Sequence, residues 1–127
     1  MATVLVVDDE RSYRHYVSAR LAREGHDVLV AAGADEGITM AASTPPQVLV
    51  VDWLLGQEGS GLQIAAELQR RDPTLRTILI TGFSAQALAR ADDVAVFRCL
   101  EKPFEIDDLV RAVRDALADL DPEAPPA

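Results

Sequence analysis

Five short runs of apolar residues, separated by stretches with helical spacing, leave this chain of 127 residues few folds to choose from. The runs are built from Val, Leu and Ile with almost no polar alternation, the pattern of strands buried on both faces. They predict strands over Thr3 to Asp8, Asp27 to Ala31, Gln47 to Asp52, Arg76 to Thr81 and Ala95 to Leu100. Strand and helix patterns alternate through the whole length. Such alternation predicts an α/β fold, a doubly wound parallel sheet with helices on both faces. A chain of this size forms one domain around one well-buried core.

The helical stretches differ in strength. Ile106, Leu109, Val110, Val113, Leu117 and Leu120 recur at steps of three and four, an apolar stripe opposed by Asp and Arg. Leu62, Ala65 and Leu68 mark a helix that Ser60 could cap at its start. Tyr13, Tyr16, Val17 and Leu21 mark the first helix, ending before Gly25. Ala34, Ile38, Ala41 and Ala42 mark the second, which Pro45 and Pro46 stop. A short Ala-rich helix between Ser84 and Arg90 has little to anchor it. The stretch 121–127, acidic and rich in Pro and Ala, is expected to be a disordered tail after a domain of residues 1–120.

Charge narrows the function classes. A formal net charge of −9 speaks against nucleic acid as a direct partner, because phosphate backbones demand basic patches. No stretch approaches the roughly 18 apolar residues of a membrane span. A single cysteine, Cys99, cannot form an internal disulfide, and a reducing cytoplasm is the expected location.

The strand ends carry the chemistry. The first run ends at Asp8 and Asp9, the third at Asp52, the fourth at Thr81 beside Gly82, and the fifth leads into Lys102 and Pro103. In parallel strands these ends share one edge of the sheet, where open α/β sheets place their ligands. Three carboxylates gathered there call for a counter-charge, and oxygen ligands without His or Cys favour Mg²⁺, with Mn²⁺ as a substitute. Asp9 and Glu10 could instead simply favour the start of the first helix. Asp52 closes an otherwise apolar strand, where an unpaired carboxylate is costly. A carboxylate can also act as a nucleophile towards phosphoryl groups. Thr81 could donate a hydroxyl hydrogen bond to a phosphoryl oxygen, with Gly82 leaving the approach open, and Lys102 offers a compact positive charge whose direction Pro103 fixes. The second run ends at Ala31 and Ala32 without a functional group, as suits an edge strand.

Taken together, these residues resemble the receiver domain of two-component response regulators, from Val4 to about Leu120. That family carries an acidic pair after strand one, a phosphoacceptor Asp after strand three, Ser or Thr after strand four and Lys-Pro after strand five. Here they read Asp8-Asp9, Asp52, Thr81 and Lys102-Pro103. The resemblance implies a flavodoxin-like five-stranded sheet in the order 2-1-3-4-5 and a cis peptide bond before Pro103. It implies phosphotransfer to Asp52 from a sensor histidine kinase or a histidine phosphotransfer protein, as a step in signal transduction. Asp9 and Asp52 would bind Mg²⁺ directly, Asp8 through water, and the backbone carbonyl of Leu54 would complete the set. Such a domain is a switch rather than a turnover enzyme. It would move Thr81 and Lys102 and bias the face formed by helix 84–90, the fifth strand and the last helix, to control a downstream protein or an output domain in trans.

Three departures stand out. The usual switch aromatic, three residues before Lys102, is Cys99. The loop after Asp52 lacks the common proline and runs one residue longer before Gly61. Leu54 and Phe83, which flank the path of attacking water, are both apolar, so the phosphoryl group is expected to leave slowly. Two rival functions remain. A docking domain that is never phosphorylated would function through its surface alone, and Cys99 keeps that reading open. A small phosphate-ester hydrolase would need a second acid two residues after the nucleophile, where this chain has Leu54. Among weaker signals, Gly56, Gly59 and Gly61 lack P-loop spacing. His15 and His26 have no partner pattern and are expected to be solvated. Trp53 reads as a packing or rim residue.

Overall fold

The computed structural model describes residues 2–53, 61–82 and 95–120. Five strands, β1 (Thr3–Val7), β2 (Asp27–Ala31), β3 (Val48–Asp52), β4 (Arg76–Thr81) and β5 (Val96–Glu101), form one sheet. All paired neighbours are parallel, in the order β2-β1-β3-β4-β5. Four helices are described: α1 (Arg11–Arg23), α2 (Ala34–Ser43), α3 (Gly61–Arg71) and α4 (Ile106–Leu120). This is the doubly wound parallel sheet that the apolar runs predict, in the flavodoxin-like order that the resemblance implies. Three strands begin or end one residue away from the predicted limits, with Asp8, Gln47 and Ala95 falling just outside. The predicted helix over 84–90, the Ser60 cap and the tail 121–127 lie outside the described residues.

The period of two along each strand sorts its side chains between two cores. On one face Leu5, Val7, Leu49, Val51 and Leu79 pack against Ile64, Ala65 and Leu68 of α3 and Ala41 of α2. On the other, Val4, Val6, Val48, Val50, Ile78 and Ile80 meet Val17 and Leu21 of α1 and the apolar stripe of α4. Central strands buried on both sides can therefore be continuous apolar runs. Each such side chain contributes roughly 1.5–3 kcal/mol by leaving water.

Two local features set the edge where the site lies. Glu10 caps α1, its carboxylate accepting from the N–H groups of Ser12 at 3.2 Å and Tyr13 at 3.0 Å. At the start of α3, Gly61 is pressed on the end of β3: a Cβ there would lie 2.1 Å from the Asp52 carbonyl oxygen and 2.8 Å from a Val51 methyl. Only glycine fits. In β5 the register slips by one residue, Thr77 facing Val96 while Ile78 faces Arg98, so Phe97 is the extra residue of a bulge.

Two expectations need correction. Tyr16 belongs to the predicted apolar stripe of α1 yet is 54% exposed, because the helix turns only Val17 and Leu21 fully inward. His26, expected to be solvated, is half-buried, and its Nδ1 is buried without a hydrogen-bond partner among the described residues. Burial lowers its pKa, partly countered by Glu24. His15 is exposed, as expected.

The contact at Gly61 yields a test. Gly61→Ala should lower stability by about 2 kcal/mol or more through overpacking. A urea midpoint equal to that of the parent chain would refute this account of the β3–α3 junction.

Candidate functional site

Asp8 follows β1 directly and donates its backbone N–H to the Ala31 carbonyl at 3.1 Å. Its side chain is 3% exposed. Oδ1 accepts the Glu10 N–H at 2.9 Å, and the Asp8 carbonyl accepts a guanidinium N–H from Arg14 at 2.8 Å. Asp9 is exposed beside it. Glu10 is spent on the helix cap, so the alternative in which the acidic run merely starts a helix applies to that residue. Asp8 and Asp9 are left for other roles.

Asp52 ends β3 one strand away and is also buried. Its Oδ2 accepts a hydrogen bond from Lys102 Nζ at 2.7 Å. Lys102 follows β5, its backbone N–H donating to the Thr81 carbonyl at 2.7 Å, and the Lys102–Pro103 peptide bond is cis. Thr81 ends β4 opposite Glu101 and is wholly buried. At Gly82 an added Cβ would meet nothing within 4 Å among the described residues, so packing there does not demand glycine. Leu54, expected to offer a carbonyl, lies outside the described residues.

The electrostatics follow from this crowding. Burial pushes the Asp8 carboxyl up; the Glu10 N–H and Lys102 pull it down, while the charges of Asp52 and Asp9 push it further up, and the net shift is upward. Burial alone would lower the Lys102 ammonium, but the hydrogen bond and charge of Asp52, with Asp8 and Asp9 behind it, leave it raised. Burial, together with Asp8 and Asp52, also raises the Tyr13 phenol far above its ordinary range. Among the described residues, no three Asp, Glu, His or Cys side chains stand close enough to cage a metal by themselves. The residues present still suit a hard cation. The donors are all oxygen, a buried carboxylate is short of positive charge, and Mg²⁺ commonly keeps several waters while using one or two carboxylates.

Cys99 is half-buried on β5 opposite Leu79, packed against the core shared with α3. Burial, and then Glu101, raise its thiol pKa, which suits a small apolar residue better than a reactive one. Trp53 is buried in the same core, its backbone N–H donating to the Ile80 carbonyl at 2.8 Å. It is a packing residue directly behind Asp52.

Residues 4–114 match the family model of the response regulator receiver domain. The chain belongs to this family. An NtrX-like response regulator of Rickettsia conorii is 35% identical over 84% of this chain. The chain spans only 23% to 24% of the length of that protein and its counterparts in other Rickettsia. A receiver domain protein from Clostridium thermocellum superposes with a TM-score of 0.84 at 26% identity, covering 94% of this chain and 96% of that one. The response regulator TrrA of Thermotoga maritima, solved in complex with Mg(2+)-BeF, gives 0.81 at 26% identity, covering 91% and 99%. Homologues of the NtrX and NtrC type are thus longer than this receiver domain. Among its described residues, no helix is long and apolar enough to cross a membrane.

The sequence reading of this receiver domain missed one neighbour of the site. Lys102 Nζ lies 5.5 Å from the centre of the Tyr13 ring, which meets Phe104 edge-on at 6.2 Å. Tyr13 reads in sequence as a core residue. Its place in the first turn of a helix that begins beside the acidic pair was the available signal.

The raised carboxyl of Asp8 fixes the sign of a prediction. Below the ordinary value of 3.8, Asp8 is protonated in both the folded and unfolded states and costs nothing. As pH rises through its raised folded value, the fold must carry an ionised carboxylate that it disfavours, and the loss persists at neutral pH. Asp8→Asn should therefore stabilise the protein at pH 7 by on the order of 1 kcal/mol. The gain should vanish in acid. Equal gains in thermal midpoint at pH 3 and pH 7 would contradict this.

Proposed function

We propose that this receiver domain takes a phosphoryl group from a histidine of a sensor kinase or phosphotransfer protein onto Asp52. The observation that supports this most is the buried Asp52 carboxylate, held at 2.7 Å by Lys102 and crowded by Asp8. In the transfer, a carboxylate oxygen of Asp52 forms the new O–P bond while the N–P bond of the phosphohistidine breaks. The electron pair returns to the imidazole nitrogen, which takes up a proton. Little covalent chemistry is asked of the protein, so positioning and charge neutralisation dominate.

Asp9 and Asp52 would hold Mg²⁺ directly, with Asp8 acting through water and the Leu54 carbonyl as a further ligand; Mn²⁺ fits the same set. When bound, the ion supplies positive charge to the phosphoryl oxygens. The structure of TrrA with Mg(2+)-BeF supports the same chemistry for a relative. Lys102 would exchange its hydrogen bond from Asp52 to a phosphoryl oxygen, and Thr81 would turn its hydroxyl to another. Those two movements shift the population between two states of the surface that a downstream protein, or an output domain in trans, reads. On this reading the domain is a cytoplasmic phosphoprotein switch, not a turnover enzyme.

Incubation with acetyl phosphate and Mg²⁺ should add the mass of one phosphoryl group to the chain, and Asp52→Asn should abolish the gain. Emission from buried Trp53 should change on adding Mg²⁺ and again with beryllofluoride, and the beryllofluoride response should be lost in Asp52→Asn. An unaltered mass, or no magnesium uptake by calorimetry, would overturn the proposal. After donor removal the phosphoryl group should persist, and a half-life of seconds would contradict the role given to Leu54 and Phe83. The half-buried Cys99, which offers no ring to follow Thr81, favours a docking module as the second reading. Partner binding unchanged by Asp52→Asn would select it.

A further inference from the structure

Lys102 is the only lysine in the chain; every other basic position among the 12 Lys and Arg residues is arginine. Its side chain is 43% exposed, and a four-carbon stem in that setting samples many rotamers unless something holds it. Asp52 holds one side of the ammonium at 2.7 Å. The ring of Tyr13 lies 5.5 Å from Nζ, within the range of a cation–π contact. The Glu10 cap holds the main chain of Tyr13, accepting its backbone N–H at 3.0 Å, and Phe104 meets the ring at an interplanar angle of 87°. Both rings pack against the core beneath α1 and α4.

We infer that Tyr13 is a positioning residue for Lys102, its ring face, braced by Phe104, holding the ammonium over Asp52. The contact is to the charged end of Lys102, which packing alone would not require. The hydroxyl plays no part in it. The inference deepens the phosphoacceptor reading and rests on it only for its effect on rate.

Because there is one lysine, a protein labelled with ¹³C-lysine gives one set of side-chain signals, and the effect on Lys102 can be read without phosphorylation. In the parent chain its Cε protons should show an upfield ring-current shift and restricted motion. Tyr13→Leu should remove both and slow loading from acetyl phosphate by about three- to tenfold, the size of one partly exposed cation–π contact. Tyr13→Phe should restore the signal and the rate together. If leucine unfolds the chain, Tyr13→Met, whose unbranched side chain adapts to irregular space and also lacks a ring, carries the same expectation. An unchanged Lys102 signal in a folded ringless variant would overturn the inference. So would a phenylalanine variant as impaired as leucine. Should acetyl phosphate fail to load even the parent chain, the phosphoacceptor reading falls while the lysine signal still decides the role of Tyr13.

Discussion

Two buried carboxylates at the ends of adjacent parallel strands, with one lysine against them, are the constraint around which this receiver domain is arranged. Asp8 is 3% exposed and Asp52 7%, so neither can rely on water to carry its charge. Each relies on groups that the fold must deliver to that point. Asp8 has the Glu10 N–H, and Asp52 has Lys102, whose backbone is tied to Thr81. Burial, with the charges of Asp52 and Asp9, pushes the Asp8 carboxyl up despite the Glu10 N–H and Lys102. A site left short of positive charge is suited to recruit it, and a fold that tolerates the shortage must be stabilised elsewhere.

That stability comes from the two cores, whose construction also aims the site. All paired strands run parallel, with α1, α2 and α3 returning the chain to the same starting edge, and all the chemistry-bearing ends therefore collect at the other. Close tolerances appear where an element starts or ends beside the site. Gly61 lets α3 begin directly against the Asp52 carbonyl, and Glu10 seals α1 so that Asp8 and Asp9 need not. The bulge at Phe97 returns β5 to register in time to place Cys99 on the face of Leu79 and Lys102 beyond Thr81.

Most of this was legible in the sequence for one reason: burial on both faces removes polar alternation, so Val4 to Val7 and Val48 to Val51 announce themselves. The ends of those runs named Asp8, Asp52, Thr81 and Lys102 before any geometry was known. Less legible were features that depend on rotation about a helix axis or on a single turn. Tyr13 and Tyr16 fit the same apolar stripe, yet one faces Lys102 and the other faces solvent at 54% exposure. His26 follows a turn in which Gly25 takes φ of 97°, and sequence alone does not fix how deeply the next ring is pressed against its neighbours. The bulge in β5 leaves no mark in composition, because Phe97 suits either face.

The choice of basic residues follows from the same constraint. Arginines clasp α4 to the rest of the domain: Arg20 of α1 to Asp107 at 2.7 Å, Arg76 of β4 to Asp119 at 2.7 Å, and Arg98 of β5 to Asp115 at 2.8 Å. These pairs are largely open to water, where each adds little on its own. A planar guanidinium suits such fixed tethers, since its fork holds one geometry. On the proposed transfer to Asp52 a tether of that kind would be a defect, because the cation there would have to leave the carboxylate oxygen and follow the charge to a new one. A compact ammonium on a flexible stem can make that exchange with one hydrogen bond broken and one made. Its flexibility is also its weakness, and an aromatic face limits it without competing for the proton donors. On that reading the single lysine stands where the charge would have to move, and the ring of Tyr13, 5.5 Å from its ammonium, stands where that movement would need a limit.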